Sequence, residues 1–188
     1  MSFFTQPPEE PARPEPIPPK PEWLGPPDGK LPTPLLSRVK IFATNRTLLT
    51  LDHLNVYATG IEFTLNVWTR SPDEIDDIPW EAHGRKGAIR PDFMRLGFEF
   101  ANGDKCTNLP NNHNHFAQEP TGPLFIGQGG GGGSHFWSMK QWLWPLPPPN
   151  TLVVHAAWPE YGIDETSVAI DTSEFAAAAA RSEDIWTD

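Results

Sequence analysis

The stretch NNHNH sets His113 and His115 two residues apart, on one face if the chain there is extended. His83 and His135 stand on or beside other polar stretches. Neutral imidazole is the commonest protein metal ligand, so these four histidines are the candidate metal-ligating residues. A zinc site needs three or four converging ligands. The chain has one cysteine, which excludes sulfur-rich sites, and no spacing motif joins the histidines into a set. Asp73, Glu74, Asp76 and Asp77 crowd the stretch SPDEIDDIPW. Beside loop histidines they would suit a metal-dependent hydrolase, and by themselves they suit a solvated turn. Cys106 is the one thiol that could act as a nucleophile beside a histidine. It also shares its parity with Phe98 and Phe100 across a tight hairpin, which suits a small buried residue.

The segment GQGGGGGSHFWSMKQWLWP raises a second kind of chemistry. Five consecutive glycines, Gly129 to Gly133, could turn successive backbone N–H groups toward an anion. A P-loop requires a lysine after the run and a helix behind it. Here Ser134, His135 and Phe136 follow, and the pattern beyond them is that of a strand. Nucleotide binding is therefore not expected, and no cofactor is. The run is expected to be a flexible connection. Eight tryptophans offer a third kind of chemistry. Exposed aromatic rings anchor protein partners or stack on sugars, and Trp68, Trp80 and Trp137 are the candidate contact residues. Trp142 and Trp144 are expected in the core.

The elements that would position these groups are mostly strands. SRVKIFATN alternates, with Val39, Ile41 and Ala43 on one side. In RTLLTLDHLNVYATG the apolar parity changes between Leu51 and Leu54, which calls for a β-bulge near Asp52 and His53 or a bend between two strands. IEFTLNVWTR is the clearest strand. Ile61, Phe63, Leu65 and Val67 point one way, and Glu62, Thr64, Asn66 and Arg70 the other. Ala58 to Gly60 reads as a hairpin turn with positive φ at Gly60. MRLGFEFANGDKCTNL is a hairpin turning at Asn102 and Gly103. LFIG is a short strand. HFWSMKQWLW is apolar on both faces, so a central strand is expected there. TLVVHAAW and the short TSVAI complete the strands. IDTSEFAAAAARSEDIW predicts a helix over 172–186, with Asp171 as N-cap, Glu174 completing a capping box, and Ile170 stapled to Phe175. Stretches 71–93 and 109–123 read as long polar loops.

Composition bounds what lies around these elements. Of the 23 prolines, twelve fall before residue 35. Residues 1–22 therefore read as a disordered, partly polyproline II tail, and 23–188 as a single domain. The formal net charge is −10, which makes a nucleic-acid backbone a poor partner. No apolar run approaches the length of a membrane span and no signal peptide is evident, so a membrane is not expected as a partner and the cytoplasm is the expected location. One cysteine requires no oxidising compartment.

The fold class that follows is all-β. It is an antiparallel β-sandwich, immunoglobulin-like in arrangement, with a C-terminal helix packed on it. The order PEWLGPPDGKLP, VYATGIEFTL, RLGFEFANGDKCTNL, GQGGGGGSHFWSMKQWLWPLPPP and IDTSEFAAAAARSEDIW resembles a family of uncharacterised actinobacterial proteins, over roughly Trp23 to Trp186. The glycine run leading into WPLPPP is its most specific mark. The resemblance implies one intact small domain, and it carries no catalytic residue, since no activity is assigned to that family. The expected role is a non-enzymatic interaction or accessory module with a protein partner. The alternatives are the metal-dependent hydrolase above and a small-ligand or carbohydrate binder using exposed tryptophans.

Overall fold

In the computed structural model the described residues are 19–35, 38–71, 93–109 and 118–186. Among the described residues there are twelve strands: β1 (Lys30–Leu31), β2 (Thr33–Leu35), β3 (Val39–Ala43), β4 (Thr47–Val56), β5 (Ile61–Thr69), β6 (Arg95–Glu99), β7 (Lys105–Thr107), β8 (Leu124–Gly133), β9 (Phe136–Trp144), β10 (Thr151–Trp158), β11 (Ile163–Asp171) and β12 (Glu183–Asp184). The class is all-β and every pairing is antiparallel. A six-stranded sheet has the order β2-β4-β5-β9-β8, with β3 also on β4, and a four-stranded sheet has the order β11-β10-β6-β7. β1 and β12 form a separate two-stranded pair.

The period-2 pattern decides which side chains meet. On the larger sheet Leu49, Leu51, Leu54 and Val56 of β4 share the inner face with Ile61, Phe63, Leu65 and Val67 of β5 and with Trp137, Met139 and Leu143 of β9. The smaller sheet answers with Leu96 and Phe98 of β6, Cys106 of β7, and Leu152, Val154 and Ala156 of β10. Phe98 touches Phe63 and Phe125 of the opposite sheet at ring distances of 5.4 and 5.1 Å. Burying an aromatic or aliphatic side chain of this size contributes about 1.5–3 kcal/mol, so this interface between sheets holds the fold. The parity change in β4 is resolved by a bulge and not by a break into two strands: His53 takes φ 52° and the register shifts between Asp52 and Asn55.

Four expectations are corrected. The glycine run is not a loose connection. Gly129 to Gly133 continue β8, paired in register with β9 to the tight turn at Ser134 and His135. The helix is confined to α1 (Phe175–Ala179) and Asp171 does not cap it. Asp171 ends β11 and accepts the Ser173 N–H, while buried Thr172 donates its hydroxyl to the Pro148 carbonyl. After α1 the chain turns and pairs with β1, so Ile185 and Trp186 stay exposed. In β3 a register shift between Lys40 and Phe42 buries Phe42 and leaves Ala43 outside. Gly60 has no positive φ. A side chain there would run into the Leu143 carbonyl and the Trp142 ring, so close approach explains this glycine.

Candidate functional site

The outer face of the larger sheet collects the residues that β4, β5 and β9 turn away from the core. Cross-strand register sorts them into rows. Leu48, Trp68 and Phe136 form one row, Thr50, Asn66 and Ser138 the next, then Asp52, Thr64 and Lys140, and then Asn55, Glu62 and Trp142. The middle rows are polar and the outer rows carry the aromatic rings.

Asp52 anchors the polar rows. Only 2% exposed, it accepts from Thr50 Oγ1 at 2.6 Å, Asn66 Nδ2 at 2.8 Å and Arg38 Nε at 2.6 Å. Burial pushes its pKa up, but the hydrogen bonds from Thr50, Arg38 and Asn66 and the Arg38 charge outweigh it. The carboxyl is therefore held below its usual range. Arg38 remains largely exposed while tied to this buried acid. One row on, Glu62 lies 3.5 Å from Lys140 Nζ and accepts from Asn55 Nδ2 at 3.3 Å.

A cleft of about 550 Å³ opens over these groups, lined by Arg38, Asp52, His53, Asn55, Glu62, Thr64 and Lys140, with Pro34 and Leu35 as its apolar wall. The size is that of a small-molecule site. The bulge places it: positive φ at His53 turns that ring outward and lets Asp52 and Asn55 both face the cleft.

The predicted site residues fall elsewhere. Trp80, His83, His113 and His115, with the acids Asp73 to Asp77, lie outside the described residues. His135 sits in the β8–β9 turn, its Nδ1 3.2 Å from the Thr69 carbonyl, which pins the turn to the end of β5. Among the described residues no three His, Cys, Asp or Glu side chains converge as metal ligands. Trp68 is half-buried on the outer face, its ring 5.2 Å from that of Phe136. Trp137 is corrected: it is 1% exposed, because its parity in β9 is that of Met139 and Leu143. Trp142 and Trp144, expected in the core, both take the outer parity of β9: Trp142 is buried there against Tyr57 and the Glu22 carbonyl, and Trp144 is half-buried under Trp23. Cys106 is buried and its thiol is pushed up to about 12 by burial, which removes it as a nucleophile at neutral pH.

Arg38, Asp52, Glu62 and Lys140 were not singled out from the sequence. Two signals pointed to the acids, Asp52 as an acid embedded in the apolar stretch LLTLDHLNV and Glu62 on the polar parity of IEFTLNVWTR, and none to Arg38 or Lys140. Among the described residues no helix is long and apolar enough to cross a membrane. Compared with known proteins, the chain matches no family model, no curated protein and no solved structure.

Proposed function

We propose that this protein is a non-enzymatic binding module whose cleft on the outer face of the larger sheet takes a small hydroxylated or zwitterionic acid. The observation that carries this is the pairing of opposite chemistries around one opening. Arg38 and Lys140 offer cationic donors to an acid group, while Glu62 and Asn55 offer partners for hydroxyl or amine groups. The buried Asp52 network fixes the floor, so little ordering remains to be done on binding. The reading draws no nucleophile and no metal from the cleft. The hydrolase alternative rests on His83, His113 and His115, outside the described residues. The carbohydrate alternative would use Trp68, which lies two rows from Thr64 and so roughly 13 Å along the strand. A single small ligand in the cleft does not reach it. The cytoplasmic setting and the actinobacterial kinship belong to the same proposal and rest on the lone cysteine and on the glycine-run motif.

The test is a thermal-shift panel of small hydroxy acids, amino acids and sugar acids. A ligand at 100 times its dissociation constant stabilises by about 2.7 kcal/mol, which reads as roughly 5–10 °C for a domain of this size. Lys140→Ala and Glu62→Gln should each abolish the shift, and Trp68→Ala should leave it. A panel without any shift, or shifts indifferent to both cleft variants, would overturn the proposal.

A further inference from the structure

The five glycines of β8 have different reasons for being glycine. Gly129 has φ 133°, which side chains other than hydrogen rarely tolerate. A Cβ at Gly130 would strike the Ser138 carbonyl and one at Gly132 the Phe136 carbonyl, because β8 lies close on β9 there. Gly131 and Gly133 meet nothing within 4 Å. Local packing on the chain itself therefore leaves these two positions unexplained.

β8 is also the last strand of its sheet, and among the described residues no strand pairs with its far edge. Natural edge strands are usually blunted by charges, prolines or bulges. A bulge between Gly127 and Gly129 blunts the first part. From Gly129 to Gly133 the pairing with β9 keeps one register and the residues are exposed, with no charged residue from Gly127 to Met139.

We propose that this edge pairs with the same edge of a second copy of the chain, antiparallel about a twofold axis at Gly131. In that register Gly131 faces its own mate and Gly129 faces Gly133. Two features favour a second copy over a foreign peptide. Strand addition draws its specificity from pockets for alternate side chains, and five glycines offer none. In a twofold pair the bodies of the two domains supply that constraint instead. The chain carries a net charge of −10, so copies repel most weakly where the surface is uncharged, and this edge is such a place. With glycine at 131 no side chain and no charge stands at the twofold centre, where it would face its own copy.

Sedimentation velocity across a concentration series tests this, with Gly131→Lys, Gly131→Cys and Gly133→Cys as variants. These positions are open in the single chain, so the variants should fold. The wild type should move from 21.0 kDa toward twice that mass as concentration rises. Gly131→Lys sets like charges opposite each other and should raise the dimer dissociation constant about tenfold or more. Under a mild oxidant Gly131→Cys should cross-link to itself, since paired Cα atoms sit roughly 4.5–5.5 Å apart. Gly133→Cys should not, its mates lying about 13 Å apart along the strand. Buried Cys106 is a silent background. A wild type that stays at single-chain mass overturns the proposal and leaves the edge to a different strand. A dimer that is indifferent to Gly131→Lys, or that cross-links through position 133 instead, also overturns it.

Discussion

A carboxylate buried among Thr50, Asn66 and Arg38 is the most constrained polar group on the outer sheet face. Its behaviour in acid follows from its partners. The folded-state pKa of Asp52 lies below the ordinary value. Its contribution is therefore fully present above the unfolded pKa of about 3.9, and is lost as pH falls from there through the folded value. Urea unfolding of the wild type should show that acid limb, and Asp52→Asn should flatten it. Identical limbs in the two proteins would mean that Asp52 is not the group being titrated. Asn66→Ala leaves a buried carboxylate one donor short, and the expected cost at pH 7 is about 1–3 kcal/mol. That cost should shrink as Asp52 protonates. The same network bears on the cleft, because Arg38 reaches over it from an anchor on Asp52. The acid was visible in the sequence as an interruption of apolar residues. Apart from Thr50, two residues back on the same strand, its partners were not, since Arg38 and Asn66 are each 14 residues away along the chain and only strand register brings them together.

At the scale of elements, the glycine run gives the sharpest test of how close approach and open space divide one strand. Gly132→Ala drives a methyl group into the backbone of β9 at Phe136 and Trp137. Overpacking of this kind costs about 1–3 kcal/mol. Gly133→Ala meets open space and lowers the entropy of the unfolded chain, so it should be neutral or stabilising by up to about 1 kcal/mol. Urea midpoints of the two variants check the sign, and equal midpoints would refute the division. The same run explains what the sequence hid. Strands that carry apolar side chains on one face announce themselves by period, and the core parity of β4, β5, β6 and β10 was legible for that reason, whereas β9 is apolar on both faces and its core parity was not. Glycines carry no period, so β8 past Gly127 read as a loop, although pairing with β9 orders it. The C-terminal segment misled in the opposite way. Its alanines favour helix intrinsically, but Ser182 donates to the Leu31 carbonyl and Glu183 and Asp184 pair with β1. Tertiary pairing ends the helix a turn and a half after it begins.

For the whole molecule, the two ends of the described chain pack on different strands of the sandwich, the first on β9 and the last on β2 and β4, and they should differ in what their removal costs. At the front, Trp142 Nε1 donates to the Glu22 carbonyl, Gln128 Nε2 donates to the Leu24 carbonyl, and Trp23 lies edge-on to Trp144 at 6.4 Å. The 3-10 turn Glu22–Leu24 thus covers the outer side of β9. Removal of residues 1–18 touches none of these bonds. Removal of 1–25 strands the buried indole N–H and uncovers Trp144, an expected loss of about 2–4 kcal/mol from an unmade hydrogen bond and lost apolar burial. At the back, only Phe175 and Ala178 of α1 are buried. β12 adds an exposed pair, with Lys30 Nζ 2.6 Å from Asp184 Oδ1 at the surface, and such surface ion pairs contribute little. A chain ending at Arg181 should therefore melt within a few degrees of the full protein. A chain ending at Thr172 loses Phe175 from the core, worth about 3–5 kcal/mol, and should melt roughly 10 °C lower or aggregate. Thermal melts of the four truncations decide it. If the chain ending at Arg181 proves as damaged as the one ending at Thr172, then β1 and β12 hold the sandwich shut and the buried face of α1 does not.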